Sequence, residues 1–142
     1  MEHEYVVEWF SFADMDINSA EYLQGMRPQP LEIICYHCQQ SSEKYLKGYL
    51  IYKGIMDPPK THDLDDLCEM CLEHDDCFQE IEQACHVLTR YGVQPRYPNE
   101  MEITEKNMQK ALEYAWQIRD FEPLVEVRRV ISQSNDDVGG TL

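Results

Sequence analysis

Leu31–Lys53 reads LEIICYHCQQSSEKYLKGYLIYK. Ile34, Cys38, Ser41, Tyr45, Gly48 and Tyr52 recur three or four residues apart in it, which places them on one stripe of an α-helix. Gly54 follows as a residue able to take the left-handed conformation that stops a helix. This is the longest and most apolar run of the chain. Ser41, Ser42 and Gly48 are small enough to let another helix approach closely, so the segment is expected at the centre of a bundle.

Working outward, Val6, Trp9, Phe10, Ala13, Ile17, Ala20 and Leu23 mark an upstream helix over Tyr5–Leu23. Gly25 to Pro30, with one glycine and two prolines, connects the two. Downstream, Asp57, Pro58, Pro59 and Lys60 form a stiff loop. Thr61 or Asp63 then caps a short helix with Leu64, Leu67, Cys68, Cys71 and Leu72 inward, ending near His74. Asp75 or Asp76 caps a fourth, with Phe78, Ile81, Cys85 and Leu88 inward and Gly92 as its stop. Pro95, Pro98 and Asn99 make Val93–Ile103 a loop. Thr104 caps a fifth helix carrying Met108, Ala111, Leu112, Ala115 and Ile118, which Pro123 bends or ends. From Ser132 the tail has little apolar surface to offset its ordering entropy, so residues 132–142 are expected to be disordered. No strand-like alternation and no internal repeat is present. The expected fold is all-α, an up-and-down antiparallel bundle of four to five helices forming one domain over residues 1–131.

The chain is 142 residues long and 43% hydrophobic, enough to bury a core without disulfides or a metal. Its 27 acids against 12 bases give a net charge of −15, which repels phosphate backbones and argues against general coating of nucleic acid. A local basic patch can still hold a single nucleotide. The opening MEHEYVVEWF lacks the basic start and apolar run of a signal peptide, and no stretch approaches membrane-spanning length. A cytoplasmic location is therefore expected, and with it six cysteines that remain thiols.

Four strings, taken in order, resemble one family. CYHCQQSSEKYLKGYLIYKGI (residues 35–55) and PPKTHDLDDLCEMC (58–71) are similar to the long second helix of the HEPN family and the Thr-His-Asp-Leu start of its third. LTRYGVQPRYPNE (88–100) and ITEKNMQKALEYAWQI (103–118) resemble its Arg-Tyr-Pro loop and last bundle helix. The resemblance implies a four- or five-helix bundle, usually a homodimer and often encoded beside a minimal nucleotidyltransferase. In some branches it implies a ribonuclease toxin. Those branches carry an arginine followed four to six residues later by a histidine, a cation for phosphate and an imidazole for proton transfer. That signature is absent here: no histidine stands at that distance after Arg27, Arg90, Arg96, Arg119, Arg128 or Arg129.

Four constellations could carry function. Arg96 and Tyr97 could grip a phosphate and stack on a base, or equally could pair with an acid and plug the bundle end. His37, Gln40, Lys44 and Lys47 fall on one face of the second helix and could read a nucleotide. The competing reading has the lysines solvated near Glu43 and His37 donating to a neighbouring helix. His62 beside Asp63 suggests acid–base chemistry, but capping accounts for Thr61 and Asp63 without it, leaving His62 to close the bundle end. Cys35-x-x-Cys38 and Cys68-x-x-Cys71 have the spelling of zinc half-sites. They lie inside helices at core-facing positions, so buried thiols are expected and no metal or other cofactor. The tyrosines, nine in all, offer association surface, with Tyr45, Tyr49 and Tyr52 on one side of the second helix. The expected function is a non-catalytic binding or scaffold module, homodimeric, a partner of a minimal nucleotidyltransferase and a candidate nucleotide binder. The alternative is a ribonuclease toxin built on an atypical set such as Arg96 with His37 or His62.

Overall fold

The computed structural model describes residues 3–93 and 102–140. Within them the chain is all-helical: α1 Glu4–Leu23, α2 Leu31–Tyr52, α3 Leu64–Leu72, a 3-10 segment Asp76–Ile81, α4 Glu82–Thr89, α5 Glu105–Arg119 and α6 Glu122–Gly140. No strand occurs among the described residues, and no helix is long and apolar enough to cross a membrane.

α2 packs against all five of the other α-helices, most extensively against α1 and most lightly against α6, so it is the central element. Its buried residues include Ile34, Cys38, Tyr45, Leu46, Tyr49 and Leu50, which lie on more than one side of the helix. α1 runs antiparallel to it. Phe10 meets Gly48, Ala13 meets Ser41 and Asp16 meets His37, so residue numbers rise along one helix as they fall along the other. The close approach depends on the small residues. Ser41 Oγ donates 2.8 Å to the Ala13 carbonyl, and an added Cβ at Gly48 would lie only 2.8 Å from the Phe10 ring. Behind α2, Tyr49 meets Phe78 at a tilt and Phe78 meets Phe121 edge to face, with centroids 4.7 and 5.0 Å apart, tying α2 through the 3-10 segment to the start of α6.

The ends follow local chemistry. Gly54 has φ 99° and ends α2 in the left-handed region. Asp63 caps α3 by accepting from Asp65 N at 2.9 Å, with Thr61 Oγ in turn accepting from Asp63 N at 3.1 Å. Thr89 Oγ1 accepts from Leu64 N at 3.1 Å, joining the end of α4 to the start of α3. Thr104 and Asn107 form a reciprocal capping box at α5. Thr104→Ala should cost about 1 kcal/mol, read as a lower urea midpoint with an unchanged slope.

Three details depart from the sequence expectation. The fourth helix opens as the 3-10 segment capped by Asp75, and only from Glu82 is it α-helical. Gly92 is not left-handed; what a side chain there would crowd is Gln39, whose Nε2 would lie 3.3 Å from an added Cβ. Pro123 does not simply end the helical region but sits in the first turn of α6, where a missing N–H is harmless. Leu124, Val127 and Ile131 of α6 are buried at three- and four-residue steps. The helical backbone of α6 runs from Glu122 to Gly140.

Candidate functional site

Glu43 is the centre of a polar cluster in the middle of α2, only 4% exposed. A carboxylate so removed from water persists as an anion only if donors replace its hydration. Three do. Lys47, one turn on, places Nζ 2.9 Å from Oε2. Gln39, one turn back, donates Nε2 to Oε1 at 3.1 Å, and His62 from the α2–α3 connection brings Nδ1 to the same oxygen at 2.8 Å. Burial pushes the Glu43 carboxyl up, but the bonds from His62, Lys47 and Gln39 outweigh it and hold it below its ordinary value. An ionised acceptor fixes the tautomer, so His62 donates through Nδ1–H. Gln39 also donates to the His62 carbonyl at 2.9 Å and accepts from Gln40 Nε2 at 2.7 Å, so one glutamine clamps the connection onto α2. The Lys47 ammonium lies 5.9 Å from the Trp9 ring centroid.

Two further carboxylates, both on α1, gather donors in the same way. Asp16 accepts from His37 Nδ1 at 2.9 Å and from Lys44 Nζ. Asp14 takes a two-pronged grip from Arg128 of α6 at 2.9 and 2.8 Å and accepts from the Tyr45 hydroxyl. Burial works against ionisation of Asp14 too, and the Arg128 and Tyr45 bonds again prevail, lowering its pKa. Among the described residues no buried side-chain nitrogen or oxygen lacks a partner.

Hollows open on the surface around these groups. One of about 270 Å³ opens between Tyr5, Trp9, Lys47, Met56 and Lys60. Another, of about 500 Å³ between α3 and α4, is walled by Asp65, Glu69, Glu82 and His86, with His86 Nδ1 3.0 Å from Asp65. No group of three or more histidines, cysteines or acids among the described residues is arranged to hold a metal. All six cysteines are free thiols. Cys35 and Cys38 are buried in α2, where burial raises Cys35 to about 12 and Cys38 well above its ordinary value, which leaves them protonated and poor ligands.

Residues 6–125 match the sequence profile of the HEPN domain. The chain belongs to the HEPN family. Its fold is shared with the crystal structure of TT1696 from Thermus thermophilus, at a TM-score of 0.71 and 23% identity over 85% of this chain and 96% of that one. Among curated proteins none matches this sequence.

In this HEPN domain the four-residue face expected on α2 divides. His37 and Lys44 turn to Asp16 of α1, Lys47 turns to Glu43, and Gln40 reaches Gln39. His62 joins Lys47 at Glu43, an association no sequence spacing announces. Arg96 and Tyr97 lie outside the described residues. Of the groups that organise the candidates, sequence reasoning passed over Gln39 and Asp16 and gave Glu43 only as an acid near solvated lysines. Only Glu43 left a signal, as an acid within an apolar run one turn before Lys47.

Proposed function

We propose that this HEPN domain is a non-catalytic binding module that forms a homodimer and docks onto a nucleotidyltransferase-like partner subunit. The observation that carries the reading is the pairing of the candidate cations. Lys47 and His62 close on Glu43, and His37 and Lys44 close on Asp16. A phosphate brought to any of the four meets a carboxylate already in place, and displacing it would strip that buried anion of one of the donors that replace its hydration. The polar face of α2 thus serves the fold. The missing Arg-to-His spacing points the same way, and the partner is proposed by analogy with other members of the family.

Titration calorimetry with ATP and Mg²⁺ should give no saturable heat below about 1 mM. Mixing with a minimal nucleotidyltransferase subunit should give a complex on a sizing column. A second reading, RNA cleavage, is favoured by one observation: the His62 side chain is 68% exposed while a buried carboxylate holds its Nδ1, an arrangement suited to proton transfer at Nε2. RNA cleaved by purified protein and spared by His62→Ala would overturn the binding-module reading.

A further inference from the structure

α3 and α4 lie antiparallel, and two bonds fix their register. Thr89 Oγ1 accepts from Leu64 N at 3.1 Å and His86 Nδ1 lies 3.0 Å from Asp65, so residue numbers rise along α3 as they fall along α4. One turn on from Leu64 stands Cys68, and one turn back from Thr89 stands Cys85. Their side chains meet: the Cys85 thiol donates to Cys68 Sγ, which itself lies 3.6 Å from the Phe78 carbonyl. Facing Cα atoms on helices packed about 8–10 Å apart are separated by roughly 5 Å, a span that a disulfide bridges. Cys68 also lines the hollow of about 500 Å³ between α3 and α4.

We propose that Cys68 and Cys85 form an oxidation site, which hydrogen peroxide or another small neutral peroxide converts to a disulfide joining α3 to α4. Cys68 is the attacking thiol, since it lines the hollow while Cys85 is wholly buried. As thiolate, Cys68 attacks one peroxide oxygen and the O–O bond breaks. The departing hydroxide takes up the proton that Cys68 released, leaving a sulfenic acid and one water. Cys85 Sγ then attacks Cys68 Sγ, the S–O bond breaks, and the hydroxyl leaves with the Cys85 proton as a second water. Two thiols lose two electrons and two protons between them, and one peroxide is reduced to two waters. A thiol reductant such as dithiothreitol reverses the bond.

The surroundings select both the thiol and the oxidant. The hydrogen bond from Cys85 holds Cys68 below its ordinary value against burial and the charges of Glu82 and Asp65, and the same bond, with burial, keeps Cys85 protonated. Burial pushes up Cys35, Cys38 and Cys71. Cys77 is the exposed cysteine, yet its bond to Asp75 and the charges of Asp75, Glu80 and Asp76 raise it too. Exposure thus favours Cys77, and chemistry favours Cys68. Asp65, Glu69 and Glu82 wall the hollow, with His86 held by Asp65, so an anionic oxidant such as glutathione disulfide is repelled while a neutral peroxide enters.

Peptide mapping tests this on the full chain, treated in native buffer with hydrogen peroxide in slight excess and then alkylated in denaturant. Early in the reaction the wild type should carry four alkylated cysteines and one peptide pair joining Cys68 to Cys85, lighter by two hydrogens and split by dithiothreitol. Glutathione disulfide in place of peroxide should leave all six cysteines open to alkylation. Cys85→Ser should stop at a sulfenic acid on Cys68 that dimedone traps, and Cys68→Ser should lose thiols at least about tenfold more slowly than the wild type. The wild-type map decides the matter whether or not the serine variants fold. Modification of Cys77 before Cys68, a Cys68–Cys71 bond in place of Cys68–Cys85, or no internal disulfide at all would overturn the proposal.

Discussion

Glu43→Ala should unfold at a much lower urea concentration than the wild type, with a loss of about 3–5 kcal/mol, because the change strands a buried ammonium. Lys47 is 7% exposed and its partner oxygen is 2.9 Å away; without it the charge keeps only a distant aromatic ring. Gln39 and His62 lose an acceptor at the same moment. Since whole domains are stable by about 5–15 kcal/mol, this one substitution removes a large share. The deficit belongs to the orphaned charge rather than to any great worth of the pair. Glu43→Ala combined with Lys47→Met should therefore recover most of it, and a double variant as unstable as Glu43→Ala would refute the account.

The same group shapes the acid limb of stability. The folded carboxyl lies below its ordinary value of 4.5, so its contribution is complete above that value in pH and is lost as pH falls through the folded pKa. Asp14 acts with the same sign from its ordinary 3.8. Glu43→Gln should flatten the fall in stability below about pH 4.5 relative to wild type, as urea midpoints measured across that range would show.

Gly48→Leu should lose about 3 kcal/mol. An alanine there would gain about 1 kcal/mol in helix propensity. Its methyl group would nevertheless lie 2.8 Å from two Phe10 ring carbons and 3.2 Å from Trp9 Cβ. Phe10 cannot swing clear, for it is 2% exposed and set edge-on against Tyr45 at 5.3 Å. Overpacking thus outweighs propensity, and Gly48→Ala should be destabilised by about 1 kcal/mol despite being the better helix former. Equal or greater stability for Gly48→Ala would show that α1 yields more easily than this packing implies.

The helical spans were legible because each apolar stripe has a single period and a chemical stop. Of the seven residues placed on the α1 stripe from spacing alone, Val6, Phe10, Ala13, Ile17 and Ala20 are buried, while Trp9 and Leu23 are half-buried against the core. Thr104 and Gly54 were equally readable, since capping and left-handed turns are local chemistry. Pro123 misled because the same residue that stops one helix is well suited to start another, and only packing of Leu124, Val127 and Ile131 decides. The site was half visible. Candidate cations could be picked from residue type, but their partners are set by tertiary approach: Asp16 lies 21 residues from His37, and Glu43 lies 19 from His62. Charge along a sequence shows what needs a counterion and not which one it finds.

Because the midsection of α2 is buried among α1, α3, α4 and α5, its amide protons there are shielded from solvent. They should exchange for deuterium only as fast as the entire molecule opens, making α2 the slowest reporter in the chain. The midsection of that helix would then give, at a single set of peaks, a direct measure of global unfolding, while frayed ends and surface turns report only their own brief excursions.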